Sequence, residues 1–219
     1  ISHADNDHAG GAAGVHRSVV AADIHVGGYA ENFSTFQGYL GARAMDARPC
    51  RRGDLWRWDG VVFSYLSPVS QAVGESVGGR RGSQNSRNSH SCVLKVTLGE
   101  AAVLLTGDIE RAEEASLALR YQEQLRATVM VAPHHGSKTS SSYALLKRVD
   151  PEIVIVAAGY KNSFGHPHPE VLRRYEILEI PVFNTAVTGM LSVRLNERGV
   201  VSQPRAYRLT NRRYWRPIP

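Results

Sequence analysis

The first segment whose residue types could do chemistry lies at the start of the chain. Within residues 3–8 it holds two histidines and two aspartates, namely His3, Asp5, Asp7 and His8. At this spacing they cannot share one face of a regular element, but a tight loop can turn all of them toward one or two cations. The glycines at 10 and 11 allow the chain to turn directly into a helix afterwards. The alternative is a solvated acidic turn near a frayed terminus.

Two further clusters follow apolar runs in the second half of the chain. Asp108 comes directly after the apolar run 101–106, where a single acid is by itself only a turn residue or a helix N-cap. His134 and His135 follow the next apolar run, and adjacent histidines point in different directions. One of them can therefore bind a metal while the other orients it or meets a substrate.

The segments around these histidines are suited to an anion. After the histidine pair, residues 136–142 combine glycine, lysine and hydroxyl side chains ahead of a predicted helix, which favours an anion at the helix N-terminus. A fourth cluster, residues 160–169, holds His166 and His168 beside prolines that stiffen the chain. The alternatives are an N-capping loop with a chance histidine pair, and a helix entry with proline at its first position.

The elements that must position these clusters alternate between short apolar runs and amphipathic stretches, a pattern typical of interleaved strands and helices. The predicted strands are 101–106, 128–132, 153–157, 182–184 and 191–195, with a turn at Gly189 between the last two. The predicted helices are 110–125, 142–149 and 169–178. Because three of the clusters follow three successive strands, we expect them to share one edge of an α/β sheet.

The first hundred residues are less regular. Residues 55–66 predict a β-hairpin with its turn at Asp59 and Gly60, and the glycine-rich stretch 9–14 leads into a helix. Residues 71–91 have few apolar anchors, which predicts a flexible loop. We expect one domain over residues 1–200, including this loop, followed by a basic and aromatic tail over residues 201–219.

Length and composition fit one substantial core or two small ones, since 42% of the 219 residues are hydrophobic and 21% are charged. A peptide, a disulfide knot and a fibre are excluded. Two cysteines cannot form a disulfide framework, and the sequence leaves open whether Cys50 and Cys92 form a single bridge. No uncharged apolar run reaches the roughly 18 residues of a spanning helix, so the chain as given is expected to be soluble.

The net charge of +6 suggests an anionic partner. Five arginines lie in residues 201–219, which contain no acid, so the basic character belongs mainly to the tail. The chain opens at Ile1 without an initiator methionine, a charged leader or an apolar leader segment. We therefore expect it to be a fragment of a longer protein.

Taken together, the clusters resemble the metallo-β-lactamase superfamily. The shared features are a histidine- and aspartate-rich loop ending in Asp-His, a Thr-Gly-Asp strand exit and a histidine at the next strand exit. More narrowly, the chain resembles, over nearly its whole length, the C-terminal metallo-β-lactamase-like domain of the ComEC family of channel proteins for DNA uptake in natural competence. That resemblance rests on SHADNDHAGG from Ser2, CRRGDLWRWDGVVF from Cys50, SCVLKV from Ser91, LLTGDIE from Leu104, APHHGSKTSSS from Ala132 and GYKNSFGHPHPEVLRRY from Gly159.

The resemblance implies an α/β fold, a metallo-β-lactamase-like αββα sandwich that lacks its N-terminal strands in this fragment. It implies metal ligands at His3, Asp5, Asp7, His8, Asp108 and His135, with Asp108 bridging two metals. Catalytic roles would fall to Asp7, His134, His166 and His168, the last two as candidates for the general acid. Contacts to a phosphate would come from Ser137, Lys138, Thr139, Ser140 and Asn162.

Two positions depart from the superfamily pattern. Asp5 stands where the loop usually has its second histidine, which favours Mn²⁺ or Mg²⁺ over Zn²⁺. The middle histidine of the pattern falls in residues 87–90, where Asn88 is the preferred ligand and His90 the alternative. We therefore expect one or two divalent ions, with Mn²⁺ favoured and Zn²⁺ or Mg²⁺ as alternatives.

The implied function is a metal-dependent phosphodiesterase, a nuclease that acts on DNA during natural transformation by metal-activated hydroxide attack on phosphate. The alternatives are a metallo-hydrolase of a small ester, lactone or cyclic nucleotide, and a catalytically idle module that binds DNA and gates the channel. The tail would bind DNA unless it is simply solvated. Its candidate contacts are Arg205, Arg208, Arg212, Arg213 and Trp215.

The implied partners are DNA, single or double stranded, and the membrane channel portion of the same parent chain. The isolated domain is expected to be monomeric. The parent would be a bacterial inner-membrane protein, and the periplasmic side of the membrane is favoured for this domain.

Overall fold

The structure, a computed structural model, describes residues 1–19, 21–28, 32–68, 87–200 and 204–211. Its strands are β1 (His25–Val26), β2 (Arg48–Pro49), β3 (Leu55–Trp58), β4 (Val61–Ser67), β5 (Val93–Leu98), β6 (Ala101–Leu105), β7 (Val129–Val131), β8 (Ile153–Val156), β9 (Val182–Asn184), β10 (Leu191–Ser192), β11 (Leu195–Asn196), β12 (Gly199–Val200) and β13 (Arg205–Ala206). Its helices are α1 (Asn6–Ala9), α2 (Ala12–Ser18), α3 (Phe33–Leu40), α4 (Arg111–Tyr121), α5 (Tyr143–Val149), α6 (Pro169–Ile177), α7 (Thr185–Thr188) and α8 (Tyr207–Thr210). Short 3₁₀ turns occupy Gly41–Asp46, Arg87–His90, Gln122–Leu125 and Pro133–Gly136.

Seven strands form one large mixed sheet in the spatial order β3-β4-β5-β6-β7-β8-β9. The neighbours from β3 to β6 pair antiparallel, whereas those from β6 to β9 pair parallel. β3 and β4 form the predicted hairpin, whose turn at Asp59 and Gly60 has left-handed φ values of 48° and 81°. Because β6, β7 and β8 are parallel, their carboxyl ends lie at one edge of the sheet, as predicted.

Helices α4, α5 and α6 pack against this sheet and build the main hydrophobic core with it. Leu117 of α4, Leu145 of α5 and Tyr175 of α6 share one buried cluster with Leu104 of β6 and Met130 of β7. Full burial of an aliphatic side chain of this size contributes about 1.5–3 kcal/mol. The three helices thereby fix the strand ends that carry the predicted site residues.

Each of these helices begins at a residue suited to the position. α4 starts with a reciprocal capping box between Glu110 and Glu113. The Ser142 side chain accepts a hydrogen bond from a backbone N–H in the first turn of α5. α6 has Pro169 at its first position and His168 as its N-cap, which is the helix entry that the sequence left open as an alternative.

The N-terminal segment has a smaller core of its own, built from Ala9, Val26, Phe36 and Leu40 among others. Ile1 N donates to the His25 carbonyl over 2.8 Å, so residue 1 lies beside β1. Ala12–Ser18 confirms the helix predicted after the glycine-rich stretch.

A disulfide joins Cys50, directly after β2, to Cys92, directly before β5. Both cysteines are buried in a small cluster with Tyr65. Cys92 N also donates to the carbonyl of Ser2 over 2.9 Å. The bridge, which the sequence left open, therefore ties the N-terminal segment to the large sheet.

The prediction of a simple turn between the strands 182–184 and 191–195 is wrong, because helix α7 lies between them. The Asn184 side chain accepts a hydrogen bond from Ala186 N, which starts a helical turn instead. β9 joins the edge of the large sheet parallel to β8, and residues 191–195 divide into β10 and β11, which pair with β13 and β12. The predicted helix 110–125 also changes to 3₁₀ at Gln122, whose φ of 44° is left-handed.

The large mixed sheet with its packed helices confirms the α/β fold class. Within the described ranges the other strands form only two-stranded sheets. Residues 71–86 of the predicted flexible loop lie outside those ranges, while Arg87–His90 forms a turn and Ser91 is fully buried. The division into a domain and a tail stays a prediction. Of the helices that the structure describes, none has the length and apolar character needed to cross a membrane.

Candidate metal centre at the sheet edge

The candidate centre lies where β6, β7 and β8 end. The Thr106 hydroxyl, after β6, donates to the Val131 carbonyl of β7 over 2.8 Å and fixes the spacing of the two strand exits. Gly107 has a φ of +55°, and a Cβ there would lie 3.0 Å from the Cβ atoms of Ser2 and Ser91. Glycine at this position therefore lets the N-terminal loop approach the sheet edge closely.

Four side chains offer ligand atoms that all lie within 4.8 Å of one another, namely Asp7, His8, Asp108 and His135. His8 Nε2 is 3.1 Å from Asp108 Oδ1 and 3.1 Å from His135 Nε2. His135 Nε2 is also 3.1 Å from Asp7 Oδ2. Two imidazoles and two carboxylates make a donor set suited to divalent transition metals. The structure thus brings together four of the six ligands implied by the sequence.

The other two predicted ligands, His3 and Asp5, lie beside the same aspartate. His3 Nε2 is 3.6 Å from Asp5 Oδ2 and 3.9 Å from Asp108 Oδ2. His3 is 1% exposed, and this nitrogen has no hydrogen-bond partner among the described residues. Leaving a buried polar group unpaired costs about 1–3 kcal/mol, which a cation held by these three side chains would remove. The residues present therefore fit a metal ion.

Asp108 belongs to two groups of candidate ligands. The first group adds Asp7, His8 and His135, and the second adds His3 and Asp5. It is 4% exposed, and its Oδ1 faces His8. Its Oδ2 lies 3.5 Å from His135 Nε2 and 3.9 Å from His3 Nε2. Asp108 therefore lies within reach of candidate ligands of both groups.

In His135, His8 and His3 the Nδ1 atom has a hydrogen-bond partner outside the centre, so Nε2 is the atom that points toward the centre. His135 Nδ1 donates to the Ala157 carbonyl over 2.7 Å. His8 Nδ1 and His3 Nδ1 lie 2.9 Å and 3.1 Å from Ser2 Oγ. Such partners orient the rings of metal-binding histidines. Sequence reasoning missed Ser2, whose only signal is its place next to His3.

The charges at the centre shift one another's pKa values. Burial raises the pKa of Asp108, but hydrogen bonds to His135 and His8 outweigh burial and hold that pKa well below its usual range. The hydrogen bond to Asp108 is the main cause that raises the pKa of His135 to about 9, against burial. Burial, followed by the charge of His8, lowers the pKa of His3. Without metal, His135 therefore holds a proton at neutral pH.

Metal affinity is accordingly expected to increase with pH between about 7 and 9. Since a cation can bind His135 Nε2 only after its proton leaves, binding below the pKa of about 9 releases close to one proton per chain. The apparent Kd for Mn²⁺ should tighten by up to about tenfold per pH unit and level off above this range. Isothermal titration calorimetry in buffers of different ionisation enthalpy measures the proton release. A Kd that is independent of pH would contradict the expectation.

His134 and His135 both adopt left-handed backbone, with φ values of 47° and 54°, which is uncommon for residues other than glycine. As predicted, their rings point differently, with His135 at the centre and His134 Nδ1 3.3 Å from Glu110 Oε1. His134 Nε2 is 3.9 Å from Asp108 Oδ2. Backbone strain of this kind persists where the surroundings impose it, and it concentrates at functional sites.

The residues predicted as the middle ligand have other neighbours. Asn88 Nδ2 donates to Glu110 Oε1 over 3.1 Å, and the same oxygen lies 3.3 Å from His134 Nδ1. His90 lies against Gly28, where an added Cβ would be 3.1 Å from the Cβ of His90. Neither belongs to the four-ligand group of the described residues. The ligand roles of Asn88 and His90 stay predictions.

Arg87, in the same 3₁₀ turn, was missed by sequence reasoning. Its guanidinium lies 3.0 Å from Asp5 Oδ1, while Oδ2 of the same carboxylate faces His3. Arg87 therefore holds Asp5 in place beside His3. Glu110, two residues after Asp108, was missed as well, and this closeness in sequence was its only signal.

The loop after the histidine pair uses several of its predicted phosphate ligands internally. Ser140 is fully buried, and its hydroxyl lies within hydrogen-bond distance of the carbonyls of Pro133 and Ser137. Ser137 Oγ lies 3.2 Å from Thr139 Oγ1, and the exposed Lys138 pairs with Glu170. The phosphate contacts of these four residues stay predictions, but Ser140 has a clear part in closing the loop.

Glu114 of α4 stabilises the end of this loop, at residues 141–142. It is fully buried, and its two oxygens accept hydrogen bonds from the backbone N–H groups of Ser141 and Ser142 over 2.5 Å and 2.7 Å. Arg174 of α6 donates to the carbonyls of Ser140 and Ser141. The sequence analysis predicted the helix that carries Glu114 but did not single out this residue.

Glu114→Gln is expected to destabilise the fold by about 1–3 kcal/mol. A glutamine side chain has one carbonyl oxygen, so one buried backbone N–H of the loop would lose its acceptor. Urea unfolding followed by circular dichroism measures the change. Glu176→Gln, an exposed change on α6, is the matched control and should stay within about 0.5 kcal/mol of the parent. Equal stability of the two variants would contradict the assigned role.

In the fourth cluster, His166 lies beside His134, whereas His168 caps helix α6. The His166 ring lies 5.9 Å from that of His134. Burial, followed by the charge of His134, lowers the pKa of His166. His168 Nδ1 instead accepts from Glu170 N as the cap of α6. Asn162 bonds within this loop to Gly159 and His166, so its contact with phosphate stays a prediction.

Only part of the predicted DNA-binding tail is described. Arg205 is exposed in β13. Arg208 donates to the carbonyls of Ala186 and Val187 at the end of α7, and its guanidinium lies 5.7 Å from the centroid of the Tyr160 ring. The tail residues Arg212, Arg213 and Trp215 lie outside the described residues.

Comparison with known proteins places this geometry in a family. Residues 1–160 match the metallo-beta-lactamase superfamily. The chain is 35% identical over 221 residues to competence protein ComA of Neisseria gonorrhoeae, which covers 100% of this chain and 28% of that protein. It is 35% identical over 196 residues to recombination protein 2 of Haemophilus influenzae, covering 88% and 21%. It is 36% identical over 152 residues to the uncharacterized protein YcaI of Escherichia coli, covering 69% and 19%.

The chain thus spans less than a third of the length of each of these relatives. The resemblance to the competence proteins that the motifs indicated is confirmed. The superfamily binds divalent metals, and the cluster around Asp108 offers the donor atoms for them at the expected edge of the sheet. The chain therefore belongs to the metallo-beta-lactamase superfamily.

Proposed function

We propose that the chain is a metal-dependent phosphodiesterase that cleaves DNA during its uptake in natural transformation. The observation that carries this proposal is Asp108, buried between His8 on one oxygen and His3 and His135 on the other. The link to DNA uptake rests on the relatives named competence protein and recombination protein.

In this proposal the ligands form two adjacent metal sites that share Asp108. Asp7, His8 and His135 complete one of them, and His3 and Asp5 complete the other. A divalent ion bound there supplies an activated water and positive charge to offset the charge that develops on the phosphate. The shared carboxylate sets the spacing of the two sites.

Proton transfer to the leaving oxygen is assigned to the histidines beside the centre. Since His168 caps α6, His166 is the better of the two predicted general acids. Its ring faces His134, so the two imidazoles flank the same approach to Asp108. The lowered pKa of His166 leaves its ring mostly neutral at pH 7 without substrate, and the negative charge of a bound phosphate would raise that pKa and favour the protonated ring.

Lys138 is available to a phosphate despite its ion pair. Its Nζ lies 2.7 Å from Glu170 Oε1, and both side chains are about half exposed. Exposed pairs of this kind contribute about 0–1 kcal/mol, so an incoming phosphate can take over the lysine. Ser137 and Thr139 stand beside it on the same loop.

We place the domain on the extracytoplasmic side of a bacterial inner membrane, as a monomeric part of a channel protein. The Cys50–Cys92 disulfide supports this placement, because structural disulfides persist in oxidising compartments. DNA and the channel portion of the parent chain are its proposed partners.

A metal-by-metal assay tests the proposed function. Protein freed of metal with a chelator receives Mn²⁺, Mg²⁺ or Zn²⁺ and is offered linear single- and double-stranded DNA, a lactone and a cyclic nucleotide. Cleavage of DNA, strongest with Mn²⁺, is expected. Faster turnover of the lactone or cyclic nucleotide would assign a small-molecule hydrolase instead. DNA binding with a steep salt dependence, but no cleavage with any metal, would indicate a gating module.

A further inference from the structure

The loop between β8 and α6 presents two aromatic rings to solvent beside the candidate centre. Phe164 is 79% exposed and Tyr160 is 56% exposed. The loop is nevertheless held in one conformation by Asn162, whose Oδ1 accepts from His166 N over 2.8 Å and whose Nδ2 donates to His166 O over 2.7 Å. Phe164 therefore keeps most of its ring open to a ligand beside the centre.

A row of aromatic rings connects Phe164 to the metal ligands. Phe164 stacks on His166 with centroids 5.8 Å apart and ring planes 18° apart. His166 is 5.9 Å from His134, whose ring is 6.3 Å from that of His135. Any phosphate held at the centre therefore has neighbouring nucleotides within reach of Phe164.

The Tyr160 ring, on the same loop as Phe164, has two cations beside it. Lys161 Nζ lies 5.4 Å from the centroid of the Tyr160 ring, and the guanidinium of Arg208 lies 5.7 Å from it. Exposed aromatic rings interleaved with cations are the features by which proteins bind single-stranded nucleic acid, since the cations follow the phosphates and the rings stack on bases.

We infer that Phe164 is a stacking platform for an unpaired nucleobase of the strand whose phosphate lies at the candidate centre. The inference rests on the proposed function and adds to it a preference for unpaired over paired DNA. A base within a duplex has both faces covered by its neighbours, whereas an unpaired base offers a free face. The chain therefore selects single strands or frayed ends over internal duplex positions.

The test distinguishes the contribution of the bases to binding from that of the phosphates. Fluorescence anisotropy on the metal-loaded protein measures the Kd of two labelled oligonucleotides of equal length, one with bases and one with abasic residues at its centre. Both carry phosphorothioate linkages, which resist cleavage. Phe164→Ala should weaken binding of the strand with bases by about 5- to 150-fold. Its affinity for the abasic strand should stay within about twofold of the parent, and Phe164→Trp should restore the preference.

The matched control is Leu119→Ala, because Leu119 on α4 is also 79% exposed and should leave both affinities unchanged. Equal weakening of the two oligonucleotides by Phe164→Ala would overturn the inference in favour of an effect on loop geometry. No change with either oligonucleotide would overturn it in favour of a surface for another part of the parent protein. Base-dependent binding through Phe164 without cleavage by any metal would leave the inference standing and remove the proposed function.

Discussion

Asp108→Ala is expected to lower DNA cleavage by about 10³-fold or more and to remove most of the bound metal. Asp108 faces both groups of candidate ligands, with His8 of the first group 3.1 Å from Oδ1 and His3 of the second group 3.9 Å from Oδ2. Losing it would separate the two proposed metal sites. The several kcal/mol of charge stabilisation that metal ions supply to a phosphoryl transition state correspond to roughly this change in rate.

The measurements are metal content by mass spectrometry and the cleavage rate at saturating Mn²⁺. Asp108→Asn preserves shape and removes charge, so it distinguishes the loss of a ligand from a failure to fold. Asp23→Ala removes an exposed carboxylate that only pairs loosely with Arg48 at 3.7 Å, and it should retain both metal and activity. Full metal content and cleavage in Asp108→Ala would contradict the proposed centre.

Removing the Cys50–Cys92 disulfide is expected to destabilise the fold by about 4 kcal/mol and lower the Tm by on the order of 10 °C. The bridge closes a loop across a sequence separation of 42 residues, and opening it gives the unfolded chain more conformations. Cys92 N also bonds to Ser2 O, and Ser2 contacts the rings of both His3 and His8. Metal affinity should therefore fall together with stability.

Thermal unfolding with and without a reductant measures the effect, and thiol titration of the denatured protein establishes whether the bridge is present. The Cys50→Ala/Cys92→Ala variant should unfold at the lower Tm under both conditions. Two free thiols per chain in the untreated parent, or a Tm that the reductant does not change, would contradict the expectation. The same result would remove the support for an extracytoplasmic location.

The sequence by itself determined the position of the candidate centre. Parallel strands end at one edge, so the acid after β6 and the histidines after β7 had to meet wherever those apolar runs paired. Asp108 and His135 were predictable for this reason. The loop of residues 3–8 was predictable from its density of ligands, although its distance from β6 in the chain gave no sign of the contact.

Only the tertiary structure decided how the ligands are held. Glu114 has the pattern of a solvated helix residue, and it is buried because α4 packs beneath a loop 27 residues further along the chain. Ser2 orients two histidines, and Asn88 bonds to Glu110 instead of standing alone. Hydrophobic periodicity reports which face of an element is buried, but it does not report which distant polar group lies against that face.

The same distinction explains one question that the sequence left open and one expectation that was wrong. The disulfide required Cys50 and Cys92 to meet across the N-terminal segment, which no local pattern encodes. The connection after β9 became helix α7 because one side chain, Asn184, accepts from a backbone N–H. Residue types and strand order thus determined what chemistry this chain carries and at which edge. Long-range packing, which depends on contacts between residues far apart in sequence, decided which side chains hold that chemistry in place.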